Sequence, residues 1–186
     1  FNLLFTYRYM IKKLNLGCGR DIKLGFINAD INRRKGVDKN IDFNKFPYPF
    51  KDNSMEEVDL LCILEIADNH LKVLEEAHRI SEKGGIVKID VPAFPSPNCV
   101  MNPMIKHFFS YNYFTFFEPL SEDKEGQDNH SFTFKFHTIK REYVFSRNKL
   151  LKWINPLVNL YPKFYTRFLF NIFPSDRLYF ELEVVK

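Results

Sequence analysis

The chain has 186 residues, 45% of them apolar and 27% charged, which suits one folded domain and excludes a disordered chain, a collagen-like fibre and a coiled coil. Its net charge of +4, from 27 Lys and Arg against 23 Asp and Glu, is too mild for the basic stripe of a nucleic-acid binder, so nucleic acid is not an expected partner. No uncharged apolar run is long enough to cross a membrane as a helix, and the odd cysteine set of Cys18, Cys62 and Cys99 lacks the spacing of a disulfide framework or a metal site.

Residues 1–11 read as a ragged extension ahead of a domain spanning 12–186, with Phe1–Tyr9 apolar but lacking the layout of a signal peptide. Lys13 to Leu16 is a short apolar strand running into Gly17-Cys18-Gly19. Phe26 to Ile31 is a second strand, Val37 to Phe43 a weaker third and Val58 to Cys62 a fourth. Leu71, Leu74, Ala77 and His78 recur at helical spacing, which predicts an amphipathic helix over 69–82, capped by Asp68 or Asn69 and stopped by Gly84-Gly85. Ile86 to Val91 is a fifth strand closed by Pro92. Ser146 is placed to cap a helix over 147–154, limited by Pro156. Arg177 to Lys186 alternates apolar and polar, as an antiparallel strand with one covered face does. Strands alternating with helix signals predict an α/β fold. We expect a Rossmann-like, mostly parallel sheet with an antiparallel C-terminal strand, in three α/β/α layers with compact first crossovers. The compactness follows from the few residues between the first two strands, since a crossover with a helix takes about 10–12.

The glycine loop is the most informative stretch. Glycines after a strand let the backbone turn sharply and approach a ligand, and free N–H groups there can hold a carboxylate. The ordinary alternative is a plain strand-to-turn transition. Asp30 ends the second strand, where an acid can accept both hydroxyls of a ribose, and Ile31 follows it. Asp42 and Phe43 end the third, placed to flank an adenine. Taken singly each acid could serve a turn. Their order at successive strand ends is the signal, because ligands of open α/β sheets gather at carboxyl strand ends.

These stretches resemble the class I S-adenosylmethionine-dependent methyltransferases, of the small type-11-like sort. LNLGCG (14–19) is similar to the first motif and INADIN (27–32) to the second strand with its ribose acid. FPYPFKDNSMEEVDLL (46–61) is similar to L-P-F-x-D-N-S-F-D-x-V, CILEI (62–66) to H-V-L-E-H, and LEEAHRISEKGGIVKIDVP (74–92) to the L-x-E-x-x-R-V-L-K-P-G-G segment. The likeness covers residues 12–92, and the terminal strand also fits. Departures are Asn15 where an acid usually stands, Asp21 after Arg20 in place of a third glycine, and Cys62 and Ile66 in place of two histidines. The resemblance implies methyl transfer from S-adenosyl-L-methionine. Gly17, Cys18 and Gly19 would hold the methionine end, Asp30 the ribose, Ile31, Asp42 and Phe43 the adenine, and Cys62 to Glu65 the methyl side.

Residues 93–186 would cover the substrate. Seven aromatics crowd His107–Phe117, and Phe132, Phe134 and Phe136 alternate, as a core-facing layer or an acceptor pocket would require. Ser121 to Asn129 is a polar loop suited to a lid. His107, His130 and His137 are candidate bases, each with a packed or surface side chain as the ordinary alternative. The expected acceptor is a small molecule or a glycan- or lipid-linked compound. Asn155 to Pro174 mixes aromatics with Lys163 and Arg167, so weak contact with a membrane surface from the cytoplasm is an open alternative. A monomer and a homodimer are equally compatible. A catalytically silent binding module and an RNA-modifying methyltransferase are the competing readings.

Overall fold

The computed structural model describes residues 11–119, 132–145 and 152–186. The Phe1–Tyr9 extension, the whole Ser121–Asn129 loop, His130 and the Ser146 cap fall outside them. One seven-stranded sheet contains β1 (Lys13–Leu16), β2 (Ile27–Asp30), β3 (Lys39–Asn40), β4 (Met55–Leu61), β5 (Ser81–Pro92), β6 (Lys135–Val144) and β7 (Arg177–Val185) in the order β3-β2-β1-β4-β5-β7-β6. The first five strands are parallel, and β7 runs antiparallel to both neighbours, as expected.

Helix α1 (His70–Ile80) joins β4 to β5. Asn69 caps it, its side chain accepting from Lys72 N at 3.0 Å. The helix ends at Ser81, earlier than Gly84-Gly85, because the Ser81 hydroxyl donates to Ala77 O at 2.7 Å. The chain then enters β5 directly, and Gly84 takes a left-handed turn inside that strand at φ +77°. β6 was not foreseen beyond His137. A helix α2 (Asn98–Met101), a 3-10 turn (Tyr113–Phe117), α3 (Ile154–Leu160), α4 (Pro162–Phe164) and a π-helical turn (Tyr165–Leu169) complete the elements.

The core lies on one face of the sheet. Leu14, Leu16, Val58, Leu60, Val87, Ile89, Leu178, Phe180 and Leu182 point into it, met by Val73, Leu74, Ala77 and Ile80 of α1. The aromatic second half extends this layer. Phe114 packs edge-on to Phe180 with ring centroids 4.7 Å apart, Phe117 stacks on Phe134 at 5.4 Å, and Phe136 meets His78 at 5.4 Å. These rings are core, not an acceptor pocket.

The connections among β1, β2, β3 and β4 contain no helix, which is the compactness expected of the first crossovers, so they lay none on the face opposite α1. Charge pairs line that face instead. Glu57 accepts from Lys13 at 2.9 Å and Lys88 at 2.5 Å, and Lys23 reaches Asp59 at 2.5 Å. Burial pushes the Glu57 carboxyl up, but the two lysines outweigh it and hold it below the usual range.

The β1–β2 connection, residues 17–26, is too short for a helix and must satisfy its backbone otherwise. Two buried asparagines do so. Asn15 Nδ2 donates to Asp21 O at 2.7 Å and to Asn28 Oδ1 at 3.1 Å. Asn28 Oδ1 also accepts from Lys23 N at 2.9 Å, and its amide donates to Lys23 O at 3.0 Å. Asn28→Ala leaves these buried groups unpaired and is expected to destabilise the fold by about 1–3 kcal/mol, read from the urea midpoint. An unchanged midpoint would contradict that role for the asparagine pair.

Candidate functional site

The carboxyl ends of β1 to β4 bring most of the anticipated residues together. Gly17 and Gly19 turn the chain with φ of +64° and +54°, which only glycine adopts freely. A Cβ on Gly17 would stand 2.1 Å from Ile63 Cδ1 and 3.9 Å from the Phe43 ring, so the absent side chain lets three strand ends close up. Buried Cys18 ties the loop to β2 through its N–H, 3.0 Å from Ala29 O.

Asp30 is the hinge of this arrangement. Its Oδ2 accepts from Gly19 N at 2.8 Å and its Oδ1 from Asn32 N at 2.8 Å. Each carboxylate oxygen has two lone pairs, so each keeps one for a vicinal diol. Ile31 beside it is exposed, and Asn40 holds the main chain there by donating to Asp30 O at 3.1 Å. The Asp42 carboxylate accepts from Asn44 N at 3.0 Å, capping its own turn, while Tyr48 donates to Phe43 O at 2.8 Å. Gly17, Cys18, Gly19, Asp30 and Phe43 thus share one rim, with Ile31 and Asp42 at its margin. Among the described residues, cavities of about 370, 230 and 450 Å³ lie elsewhere, lined by other side chains.

A second cluster follows β4. Cys62 takes a left-handed φ of +60°, unusual for a residue with a side chain, and its N–H donates to Asp90 O at 2.9 Å. Arg177, the first residue of β7, donates from Nε to Asp90 Oδ1 at 2.6 Å and from Nη2 to Cys62 Sγ at 2.9 Å. It also lies 3.9 Å from Glu65 Oε1. Cys62 is exposed as a residue, yet its sulfur faces Arg177. Desolvation there raises the thiol pKa despite the cation, which favours the thiol over the thiolate.

Glu65 is 4% exposed, and its Oε2 has no hydrogen-bond partner among the described residues. Burial pushes its pKa up to about 7, with nearby Asp90 adding and Arg177 opposing. The segment beyond α2 closes over it, since Glu65 O accepts from Lys106 N at 2.7 Å and His107 N at 3.2 Å. The sequence reading missed Asp90 and Arg177. An acid ending β5 and a cation opening the terminal strand were the available signals.

The histidines separate. His107 lies beside this cluster, with Nε2 donating to Ala67 O at 2.9 Å and its ring 4.2 Å from that of His70. Burial and the neighbouring His107 lower the His70 pKa to about 4, and His70 bonds Tyr113 OH at 2.5 Å. His137 is exposed on β6 opposite Glu183, which pairs with Ile86 in the middle of β5, four residues before Asp90. That register sets His137 back from the strand ends that carry Asp90 and Arg177, and the structure does not bring it to them. His130 lies outside the described residues.

With the strand order and these strand-end clusters, the fold is that of the class I S-adenosylmethionine-dependent methyltransferases. No protein-family model matches the chain and no curated protein matches its sequence. A SAM-dependent methyltransferase from Archaeoglobus fulgidus superposes with a TM-score of 0.63 at 15% identity, over 98% of this chain and 90% of its own. An S-adenosylmethionine-dependent methyltransferase from Mesorhizobium loti gives 0.56 at 9% identity, over 98% and 96%. The [4+2]-cyclase SpnF gives 0.56 at 11% identity, over 94% and 74%. At these identities the likeness is one of fold.

Glu65 makes a test of the second cluster. Its pKa of about 7 lies above the ordinary 4.5, so folding takes up a proton in that window and stability falls as pH rises through it. Glu65→Gln removes that loss. The variant is expected to melt higher than the parent at pH 8, with the gap closing towards pH 4.5. Melting temperatures whose difference is independent of pH would contradict a neutral, buried Glu65.

Proposed function

We propose that the protein binds S-adenosyl-L-methionine at the β1–β3 strand ends and transfers its methyl group to a small-molecule or glycan- or lipid-linked acceptor. The observation that carries the reading is the Gly19 N–H bonded to the Asp30 carboxylate, which joins the glycine turn to an acid with spare acceptor capacity. The Phe43 ring lies beside the same turn, 3.9 Å from where a Cβ on Gly17 would stand.

The residues present fit that cofactor. Gly17 and Gly19 offer backbone without side chains to the methionine end. Asp30 Oδ1 and Oδ2 each have capacity for a ribose hydroxyl. Ile31 and Phe43 offer apolar contact to the adenine, and Asp42 an acceptor for its amine. When bound, the cofactor supplies an electrophilic methyl on a positively charged sulfur, already activated for displacement. The protein then has to align the acceptor in line with that methyl and exclude water.

Glu65 is the base this geometry supports for a hydroxyl acceptor. Its Oε2 is unpartnered but buried, so it would meet a hydroxyl acceptor only with the Lys106–His107 segment opened, and would then take the acceptor proton as the oxygen–carbon bond forms and the carbon–sulfur bond breaks. A carboxyl titrating near neutrality suits both holding and releasing that proton. Arg177, fixed by Asp90, positions Cys62 and stands beside Glu65.

The second reading is a silent module that keeps the fold. One observation favours it: the Asn15 side chain is committed to the β1–β2 connection, donating to Asp21 O and Asn28 Oδ1, instead of offering a charge.

Calorimetric titration with S-adenosylmethionine and its demethylated product separates the two. Binding of both is expected, with Asp30→Ala weakening each by at least about tenfold, the scale of two lost charge-assisted hydrogen bonds. No heat with either compound would support the silent module. Binding that Asp30→Ala leaves unchanged would refute the ribose assignment.

A further inference from the structure

The segment after β6 is built inside out. In α3, Asn155 Oδ1 accepts from Phe145 N at 2.9 Å, Asn159 Oδ1 accepts from Tyr143 N at 2.8 Å, and Asn159 Nδ2 donates to Tyr143 O at 2.9 Å. These side chains cover the free edge of β6, so the helix spends its polar face on the protein. Val158, Tyr165 and Phe170 bury beside them. The outward face is then apolar. Trp153, Leu157, Leu160, Tyr161, Phe164, Phe168 and Ile172 are each more than half exposed. They recur three or four residues apart on α3 and on the short turns after it, with the helix broken at non-helical Tyr161 and continued by a π-helical turn, so the stripe is carried by successive short elements. A helical segment apolar on its outer face is ordinarily buried, and a stripe of this length marks a docking surface.

Charge identifies what docks. From Lys152 to Ser175 the chain carries Lys152, Lys163 and Arg167 and no acid. Beside the stripe, the cavity of about 370 Å³ is lined by Tyr111, Asn112, Arg141, Pro162, Lys163, Thr166 and Arg167. It holds three cations and no carboxylate. Arg141 is held in place there, donating to Asn112 Oδ1 at 3.0 Å and lying 4.8 Å from the Tyr111 ring centre. Apolar and aromatic side chains flanked by cations, with a cationic pocket at their margin, match an acyl-chain boundary and a phosphate headgroup. A second copy of the chain fits less well, because a twofold contact would bring like cations together.

We propose that residues 153–173 seat on an anionic phospholipid bilayer, with the stripe in the interface and a headgroup phosphate between Arg141, Lys163 and Arg167. The contact needs no cofactor, so it stands apart from the methyl-transfer reading.

Trp153 is the chain's single tryptophan and lies on the stripe, so its fluorescence reports the contact directly. The full chain, without S-adenosylmethionine, is mixed with phosphatidylcholine vesicles or with vesicles containing about one quarter phosphatidylglycerol. The expected result is a blue-shifted emission and co-sedimentation at least about tenfold stronger with the anionic vesicles, weakening with salt. Leu157→Asp with Leu160→Asp changes only exposed positions and is expected to abolish binding to both. Lys163→Ala with Arg167→Ala is expected to reduce the anionic preference while far-ultraviolet circular dichroism stays unchanged. No shift and no sedimentation with either vesicle would overturn the proposal. So would a blue shift with dimerisation in the absence of lipid, or inorganic phosphate binding at the pocket without vesicle binding.

Discussion

A connection of ten residues between β1 and β2 has to do what a helix does in longer α/β folds. It must return the chain to start a parallel neighbour, satisfy its own backbone, and leave ligand-binding groups at the strand ends. The Asn15–Asn28 pair meets the second demand from below, and the Gly19–Asp30 hydrogen bond meets the third from above. Both depend on short side chains at positions that a parallel strand usually gives to apolar residues. The same economy leaves the connections among β1 to β4 without helices, and the cross-strand pairs of Glu57 with Lys13 and Lys88 line the sheet face beside them.

The antiparallel last strand completes the site for a topological reason. Because β7 runs against its neighbours, its first residue lies where the parallel strands end. Arg177 therefore meets Asp90 and Cys62, and it brings a cation beside a buried carboxyl. Attraction to Arg177 does not offset the desolvation of Glu65, whose pKa stays near neutrality. Left-handed Cys62 belongs to the same cluster, and backbone of that kind persists where its surroundings hold it.

Much of the scaffold was legible in the chain. Strand β1, the Asn69 cap and the alternation of β7 follow from apolar runs, capping chemistry and period two, and each is found. The grouping of Gly17, Gly19, Asp30 and Phe43 was also readable, since successive parallel strands set their carboxyl ends side by side. The misses have physical causes. α1 ends at Ser81 because a local hydroxyl bond acts before the glycines do. β6 escaped because its inward residues are mixed with His137, Thr138, Lys140 and Arg141, as an edge strand allows. Arg177 and Asp90 meet across sequence distance, which no local pattern encodes. The aromatic run admitted a core or a pocket, and only packing distances decide for the core.

The central claim is that the glycine turn and Asp30 form one adenosyl-binding surface. Amide chemical-shift mapping of the labelled chain during titration with the demethylated cofactor tests it most directly. The account predicts that Gly17, Cys18, Gly19, Asp30, Ile31 and Phe43 shift first and together, saturating with one affinity. Saturating ligand that leaves these amides unmoved, or that moves only residues lining the Arg141 cavity or the charged sheet face, would contradict it.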